Sequence, residues 1–373
     1  MKIENIKVFG EDCQFHMSEL YINGADIADR FSDDVVIDGE DCYAIPGLID
    51  IHFHGCIGHD FCEGTEEAIQ IIADYELSEG ITSICPATMT LAEEILSKVC
   101  IAAKAHENRE GAILCGINME GPFISLAKKG AQNSDFIKKP DAAMFYRLHK
   151  LSGEMVRLVA LACEEEGAME FIDEVKNDVS VSLAHTTTDY DTAMTAFSHG
   201  AKQVTHLYNA MQPFSHRAPG LVGAACDTED CMVEIICDGI HIHPCVIRTT
   251  FKMFGDDRIC LISDSMMATG MPDGNYSLGG QPVKVKGNYA TLSDGTIAGS
   301  ATNLMDCMRT AVSFGIPLES AVKCATMNPA KAIGVFHKYG GLSIGKTANI
   351  LLLDKDLNIK QIILRGKLVG SGR

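Results

Sequence analysis

From about residue 44 to residue 262, short apolar runs alternate with stretches whose apolar residues recur at helical spacing. The runs begin near Ala44, Ile81, Ala112, Met155, Asp178, Lys202, Met232 and Arg258, which makes eight. Between them, residues 65–78, 90–106, 142–151, 167–175, 188–198 and 244–254 carry helix patterns, and Thr90 followed by Glu93 has the form of a capping box. Residues 207–228 read as loop. A last helix is expected over 318–333, with Pro317 at its start. Eight strands mostly separated by helices predict an α/β fold, a (β/α)8 barrel of the TIM type. The alternative is an open doubly wound sheet. That fold places a glycine-rich phosphate loop after its first strand, and the His-Phe-His-Gly found there does not supply one.

The two ends of the chain pattern differently. Ile3, Ile6 and Val8, then Tyr21-Ile-Asn-Gly24 with its hairpin signal, then Val35-Val-Ile37 read as short strands. This unit is too thin to fold alone. Ile350-Leu-Leu-Leu-Asp354 and Gln361-Ile-Ile-Leu364 supply matching strands near the other end. Residues 1–43 and 341–373 are therefore expected to build one small β-sandwich domain, and residues 44–340 the barrel domain. Residues 270–299 are glycine-rich with alternating Val283 and Val285, which predicts a hairpin lying over one end of the barrel.

Composition narrows the function. A formal net charge of -19 leaves no broad basic surface for nucleic acid, although a small anion needs only a few local cations. No apolar stretch reaches the roughly 20 residues of a membrane helix, and Lys2, Glu4 and Lys7 interrupt any signal peptide. The 15 cysteines are scattered without a C-x-x-C pair, so they read as free thiols in a reducing cytoplasm.

The chemistry gathers where the runs end. The first run closes as Pro46-Gly-Leu-Ile-Asp-Ile-His52-Phe-His54-Gly55. Side chains two apart on a strand share a face, so His52 and His54 aim at one point. The third run delivers Glu120, the fifth His185, the sixth His206 and the eighth Asp264. Barrel active sites lie at the C-terminal strand ends, where these groups converge. Four histidines and two carboxylates make a site for one or two divalent ions. Such an ion lowers the pKa of bound water from about 15.7 toward about 7. Asp264 is then the candidate general base, taking the proton as water attacks a carbonyl and returning it to the leaving group. Asn209, Ala210, His216, Arg217, His241 and His243 are candidates for substrate binding, and Arg217 suits an anion. His59, His106, His149, His199 and His337 read as solvated or helical surface residues.

The first-strand motif resembles that of the amidohydrolase superfamily. Met119-Glu-Gly-Pro-Phe, Ala184-His-Thr, Thr205-His-Leu-Tyr-Asn-Ala-Met211, Arg217-Ala-Pro-Gly220, Asp238-Gly-Ile-His241 and Ser263-Asp-Ser265 resemble its N-acetylglucosamine-6-phosphate deacetylase family. The likeness runs from about residue 46 to residue 334. It implies hydrolysis of a phosphorylated amino-sugar amide to glucosamine 6-phosphate and acetate, zinc or iron(II) as cofactor, and a homodimer with sites near the interface. It implies Glu120, His185 and His206 as ligands of the main metal and Asp264 as the acid/base residue. Gln132, Asn209, Ala210, Arg217 and His241 would hold substrate.

Two departures stand out. Some members lack the His-x-His pair and hold one metal; His52 and His54 here favour a second metal bridged through Glu120. A histidine often found twelve residues after the glutamate is Gln132 here, which donates a hydrogen bond but carries no charge. Rival readings are an amidohydrolase acting on a different N-acyl substrate and a non-catalytic sugar-phosphate-binding protein.

Overall fold

The structure is a computed structural model and describes residues 1–31 and 35–369. Each of the eight apolar runs contains a parallel strand. Leu48–Asp50, Ile81–Ile84 and Ile113–Leu114 form one sheet, and Ile117–Met119, Val156–Leu161, Ser180–Leu183, Gln203–Val204, Met232–Ile236 and Ile259–Ile262 form another, in chain order. The third run serves both sheets because it breaks at Cys115-Gly116. Its first piece pairs with Ile81–Ile84 and its second with Val156–Leu161. A bridge between Ala87 and Asn118 joins the sheets on one side. On the other, Asp264 N donates to His52 O at 2.9 Å. The parallel sheet is thus curled, and its strands are largely buried on both faces, as their mostly apolar composition requires.

Helices cover the outside. Glu66–Ser78 turns Ala68, Ile69, Ile72, Ala73 and Leu77 inward, a single stripe at helical spacing. Ala142–Leu151 and Pro244–Phe254 begin and end where the pattern predicts. Four points differ from expectation. The helix after Thr90 starts at Glu93 with Ala92 as its cap, so there is no capping box; Thr90 is fully buried instead. Residues 207–228 contain a helix, Gly220–Asp227. Leu304–Ser313 is a further helix, capped by the Asn303 side chain. The last helix is two, Leu318–Ala325 and Met327–Ala332. Pro329 explains that break, since it has no N–H to give the Ala325 carbonyl and its ring crowds it.

The ends of the chain pair in one hydrogen-bonded sheet of order Lys367–Val369, Ile359–Leu364, Ile350–Leu353, Tyr43–Pro46, Lys2–Phe9, Phe15–Asn23, Asp26–Ala28, with Val36–Asp38 also beside Lys2–Phe9. Ile3, Ile6, Ile22, Ala44, Ile350 and Ile363 belong to a core of its own, separate from the main one. Tyr43–Pro46 lies in this sheet, so the first strand of the curled sheet starts at Leu48 rather than Ala44. Gly47 makes the passage: a Cβ there would lie 2.2 Å from the Thr82 side chain. Residues 270–299 carry a three-stranded antiparallel sheet, Gly274–Leu278, Gln281–Lys286 and Tyr289–Thr291, tied by Gln281 Nε2 to the Ala131 carbonyl. Among the described residues, no helix is long and apolar enough to cross a membrane.

Candidate active site

Six side chains from five strand ends meet in one buried cluster. Glu120 is its centre. His185 Nε2 and His206 Nε2 each stand 3.1 Å from Glu120 Oε1, and 3.1 Å from one another. His52 Nε2 lies 3.4 Å from the same oxygen, and His54 Nε2 lies 3.4 Å from Oε2. Asp264 Oδ1 is 3.4 Å from His54 Nε2 and 3.9 Å from His52 Nε2. Three of these residues leave their strands with left-handed backbones: His185 at φ 45°, His206 at φ 29° and Asp264 at φ 50°. Such conformations cost about 1–3 kcal/mol each and persist where surrounding structure enforces them. Here they turn the side chains toward the axis of the curled sheet.

The electrostatics fit a cation. Burial pushes the Glu120 carboxyl up, but the surrounding imidazoles, His52 first, outweigh it and hold it well below the usual carboxylate range. Asp264 is likewise raised by burial, then brought below its ordinary value by the His54 contact and the nearby rings. Burial lowers His52 and His54, yet Glu234 and Glu120 raise the first and Asp264 and Glu120 raise the second, so both end above an ordinary histidine. His52 Nε2 is fully buried, faces two carboxylates and has no hydrogen-bond partner. Imidazole nitrogens and carboxylate oxygens converging this way suit one or two divalent ions. The triads His52–Glu120–His206 and His52–His54–Asp264 each bring three ligand atoms within 4.8 Å of one another.

A second layer orients the first. His185 Nδ1 is 2.9 Å from the Lys128 carbonyl, and His54 Nδ1 is 3.3 Å from that of Ala87. Gln132 donates from Nε2 to Glu120 Oε2 at 2.6 Å and accepts from Thr90 N at 2.7 Å. His241 is held by Asp238, whose Oδ2 is 2.7 Å from Nδ1, and that contact carries His241 above its ordinary pKa against the effect of burial. Glu234 is wholly buried and stands 2.8 Å from His52 Nδ1. Neither Asp238 nor Glu234 was among the sequence candidates. The signal for Glu234 was present, since a carboxylate inside the apolar run Met232-Val-Glu-Ile-Ile236 needs a buried partner.

A cavity of about 370 Å³ opens onto the cluster, lined by His54, Glu120, His185, His206 and Asp264 at its floor. Gln132, Asn209, Ala210 and His241 stand in its walls, and Leu278, Thr296 and Ile297 of the 270–299 segment roof it. Arg217 and His216 are not brought to it; both are exposed on segment 212–218. His243 is exposed and caps Pro244–Phe254, accepting from Cys245 N at 3.1 Å. Of the five histidines read as surface residues, only His337 is exposed; His106 and His149 are half-buried, and His149 stacks on Phe145. All 15 cysteines are free thiols, and burial pushes Cys115, Cys163 and Cys237 up to about 12, which removes them as nucleophiles.

Known proteins share this architecture. The amidohydrolase family model matches residues 43–369. An N-acetylglucosamine-6-phosphate deacetylase of Bacillus subtilis is 35% identical over 335 residues, 88% of this chain and 85% of its own. An N-acetylgalactosamine-6-phosphate deacetylase of Escherichia coli O157:H7 is 33% identical, over 87% of this chain and 86% of its own. The crystal structure of N-acetylglucosamine-6-phosphate deacetylase from Pasteurella multocida superimposes with a TM-score of 0.92 at 29% identity, covering 99% of each chain. With its curled parallel sheet and its histidine–carboxylate cluster, the chain belongs to the amidohydrolase family, among the N-acetylglucosamine-6-phosphate deacetylases.

Proposed function

We propose that this chain hydrolyses N-acetylglucosamine 6-phosphate to glucosamine 6-phosphate and acetate. The observation that carries the reading is Glu120 set among four imidazoles, with Asp264 beside it, at the floor of a cavity of about 370 Å³. Glu120, His185 and His206 would hold the main divalent ion, and His52 and His54, together with Glu120, would hold a second. Zn2+ suits the mixed imidazole and carboxylate donors, and Fe2+ is the alternative. Bound there, the ion supplies Lewis acidity at an amide carbonyl and lowers the pKa of water. Asp264, ionised and buried next to the cavity, takes the proton of the attacking water and delivers it to the departing sugar amine. His241, Asn209 and Ala210 in the walls position the sugar and Gln132 stands beside the acyl group; Arg217, exposed outside the cavity of one chain, is assigned to the phosphate through the homodimer, whose sites lie near the interface.

We further propose that the curled sheet closes as an eight-stranded barrel spanning residues 44–340, and that residues 1–43 and 341–373 form the small β-sandwich domain. The enzyme acts as a homodimer, and the free thiols suit the cytoplasm. N-acetylgalactosamine 6-phosphate is the second reading, favoured by the similarity to the Escherichia coli enzyme. Acetate release from both epimers, measured on purified protein with metal counted in the same sample, tests the reading. Turnover should vanish on chelation, return with zinc or iron(II), and fall roughly 100-fold or more in Asp264→Asn while metal stays bound. Bound metal without acetate release from either sugar would overturn it.

A further inference from the structure

We infer that Glu234 is a positioning residue that ties the two metal centres together from behind. Every acceptor it has is in use. Its side chain is wholly buried in the strand Met232–Ile236. Oε1 accepts from Gln203 Nε2 at 2.6 Å. Oε2 accepts from the backbone N–H of His206 at 3.3 Å and faces His52 Nδ1 at 2.8 Å. The main-chain carbonyl of the same residue accepts from Leu207 N at 2.8 Å.

The chemistry follows from these contacts. With Glu234 Oε2 accepting from His52 Nδ1–H, Nε2 is the nitrogen left to bind an ion in the cluster. Nε2 faces Glu120 Oε1 at 3.4 Å and Asp264 Oδ1 at 3.9 Å, so it calls for a positive charge among them, a proton in the metal-free site or a metal ion in the loaded one. Carboxylates behind ligand histidines fix the tautomer and raise the basicity of the ring. On the His206 side, the same oxygen and the carbonyl of Glu234 clamp residues 206 and 207, where the backbone is at φ 29°. One glutamate therefore stands behind one ligand of each centre, and its effect falls unevenly. His52 depends on its charge. His206 needs only an acceptor oxygen.

The proposal rests on His52 being a ligand, and its test is built on metal content rather than turnover. Metal per chain and zinc affinity are measured for wild type, Glu234→Gln, Glu234→Leu, His52→Ala and the double variant of His52→Ala with Glu234→Gln. Glu234→Gln keeps an oxygen for His206 N–H but loses the charge. It should weaken one ion about 10-fold and leave the other, with the thermal midpoint of the metal-free protein unchanged. Glu234→Leu also removes the acceptor for His206 N–H, so it should weaken both ions, the one at His52 by up to about 100-fold, and the double variant should hold no less metal than His52→Ala alone. Equal loss of both ions, or two ions at wild-type affinity in Glu234→Gln, overturns the proposal. So does a wild-type protein that holds a single ion, whereas the deacetylase reading is decided separately by acetate release. Should the variants fail to fold, histidine 15N spectra of the zinc-loaded wild type decide. The His52 proton belongs on Nδ1, and finding it on Nε2 overturns the assignment.

Discussion

Two glutamates share the interior of the curled sheet and its helices, and burial treats them oppositely. Glu120 is 2% exposed and Glu76, on the helix Glu66–Ser78, is 1% exposed. Neither meets appreciable solvent. Around Glu120 stand four imidazoles and the Gln132 amide, and its carboxyl is held well below the usual range. Around Glu76 stand apolar side chains and the Cys56 thiol, with the carboxyls of Asp50 and Glu79 nearby, and neither of its oxygens has a hydrogen-bond partner. Burial first, and those carboxyls second, push Glu76 well above the usual range. Asp50 too is pushed up, to about 7, by burial despite a 2.5 Å hydrogen bond from Ser263. Desolvation alone turns a carboxyl into a neutral acid; it takes a ring of donors to keep one charged and ready for a cation.

Removing the charge at each glutamate is the direct test. Glu120→Gln keeps the shape but replaces an acceptor oxygen by a donor facing imidazoles. It should abolish stoichiometric metal binding, a loss of about 100-fold or more in affinity, exceeding what outer partners of a ligand contribute. Metal retained at wild-type affinity would mean that the imidazoles alone suffice. Glu76→Gln should leave metal content untouched and act on stability. A raised folded-state pKa contributes stability that is fully present below the unfolded value near 4.3 and is lost as pH rises toward the folded one. Wild type should therefore weaken relative to Glu76→Gln as pH rises above about 5, by up to about 1.4 kcal/mol per pH unit. Urea unfolding across that range measures the slope, and parallel curves would show Glu76 ionised in the fold. The smallest effect is expected at Gln132→Leu. It should weaken metal about 10-fold by freeing Glu120 Oε2. A change confined to KM would instead mark Gln132 as reading substrate.

The rings around Glu120 were legible in the sequence because each ends an apolar run. In a curled parallel sheet, the ends of such runs are brought to one place. His52, His54, Glu120, His185, His206 and Asp264 accordingly meet. What stands behind them was legible only in part: Glu234 inside an apolar run called for a buried partner, but which partner depends on neighbours distant in the chain. Glu234 reaches His52 across 182 residues, and the pattern of its own strand gives no partner. Short helices escaped for a different reason. Gly220–Asp227 opens with glycine and carries small residues, so its periodicity is weak, whereas the break at Thr326 was written in Pro329. Thr90 has the spacing of a cap but the burial of a core residue, and packing overrode the local signal.

The sheet made by both ends of the chain has a consequence in time. Tyr43–Pro46 is made early and has Ile350–Leu353 as one of its partners, which leaves the ribosome some three hundred residues later. At about 5–20 residues per second that interval is roughly fifteen seconds to a minute. Throughout it, the first strands present an unpaired edge and the apolar faces of Ile3, Ile6 and Ile22 to the cell. The chain therefore carries a window of vulnerability fixed by the order of its residues rather than by the stability of its finished fold. Its yield should answer to translation speed and chaperone supply more than to any contact within the active site.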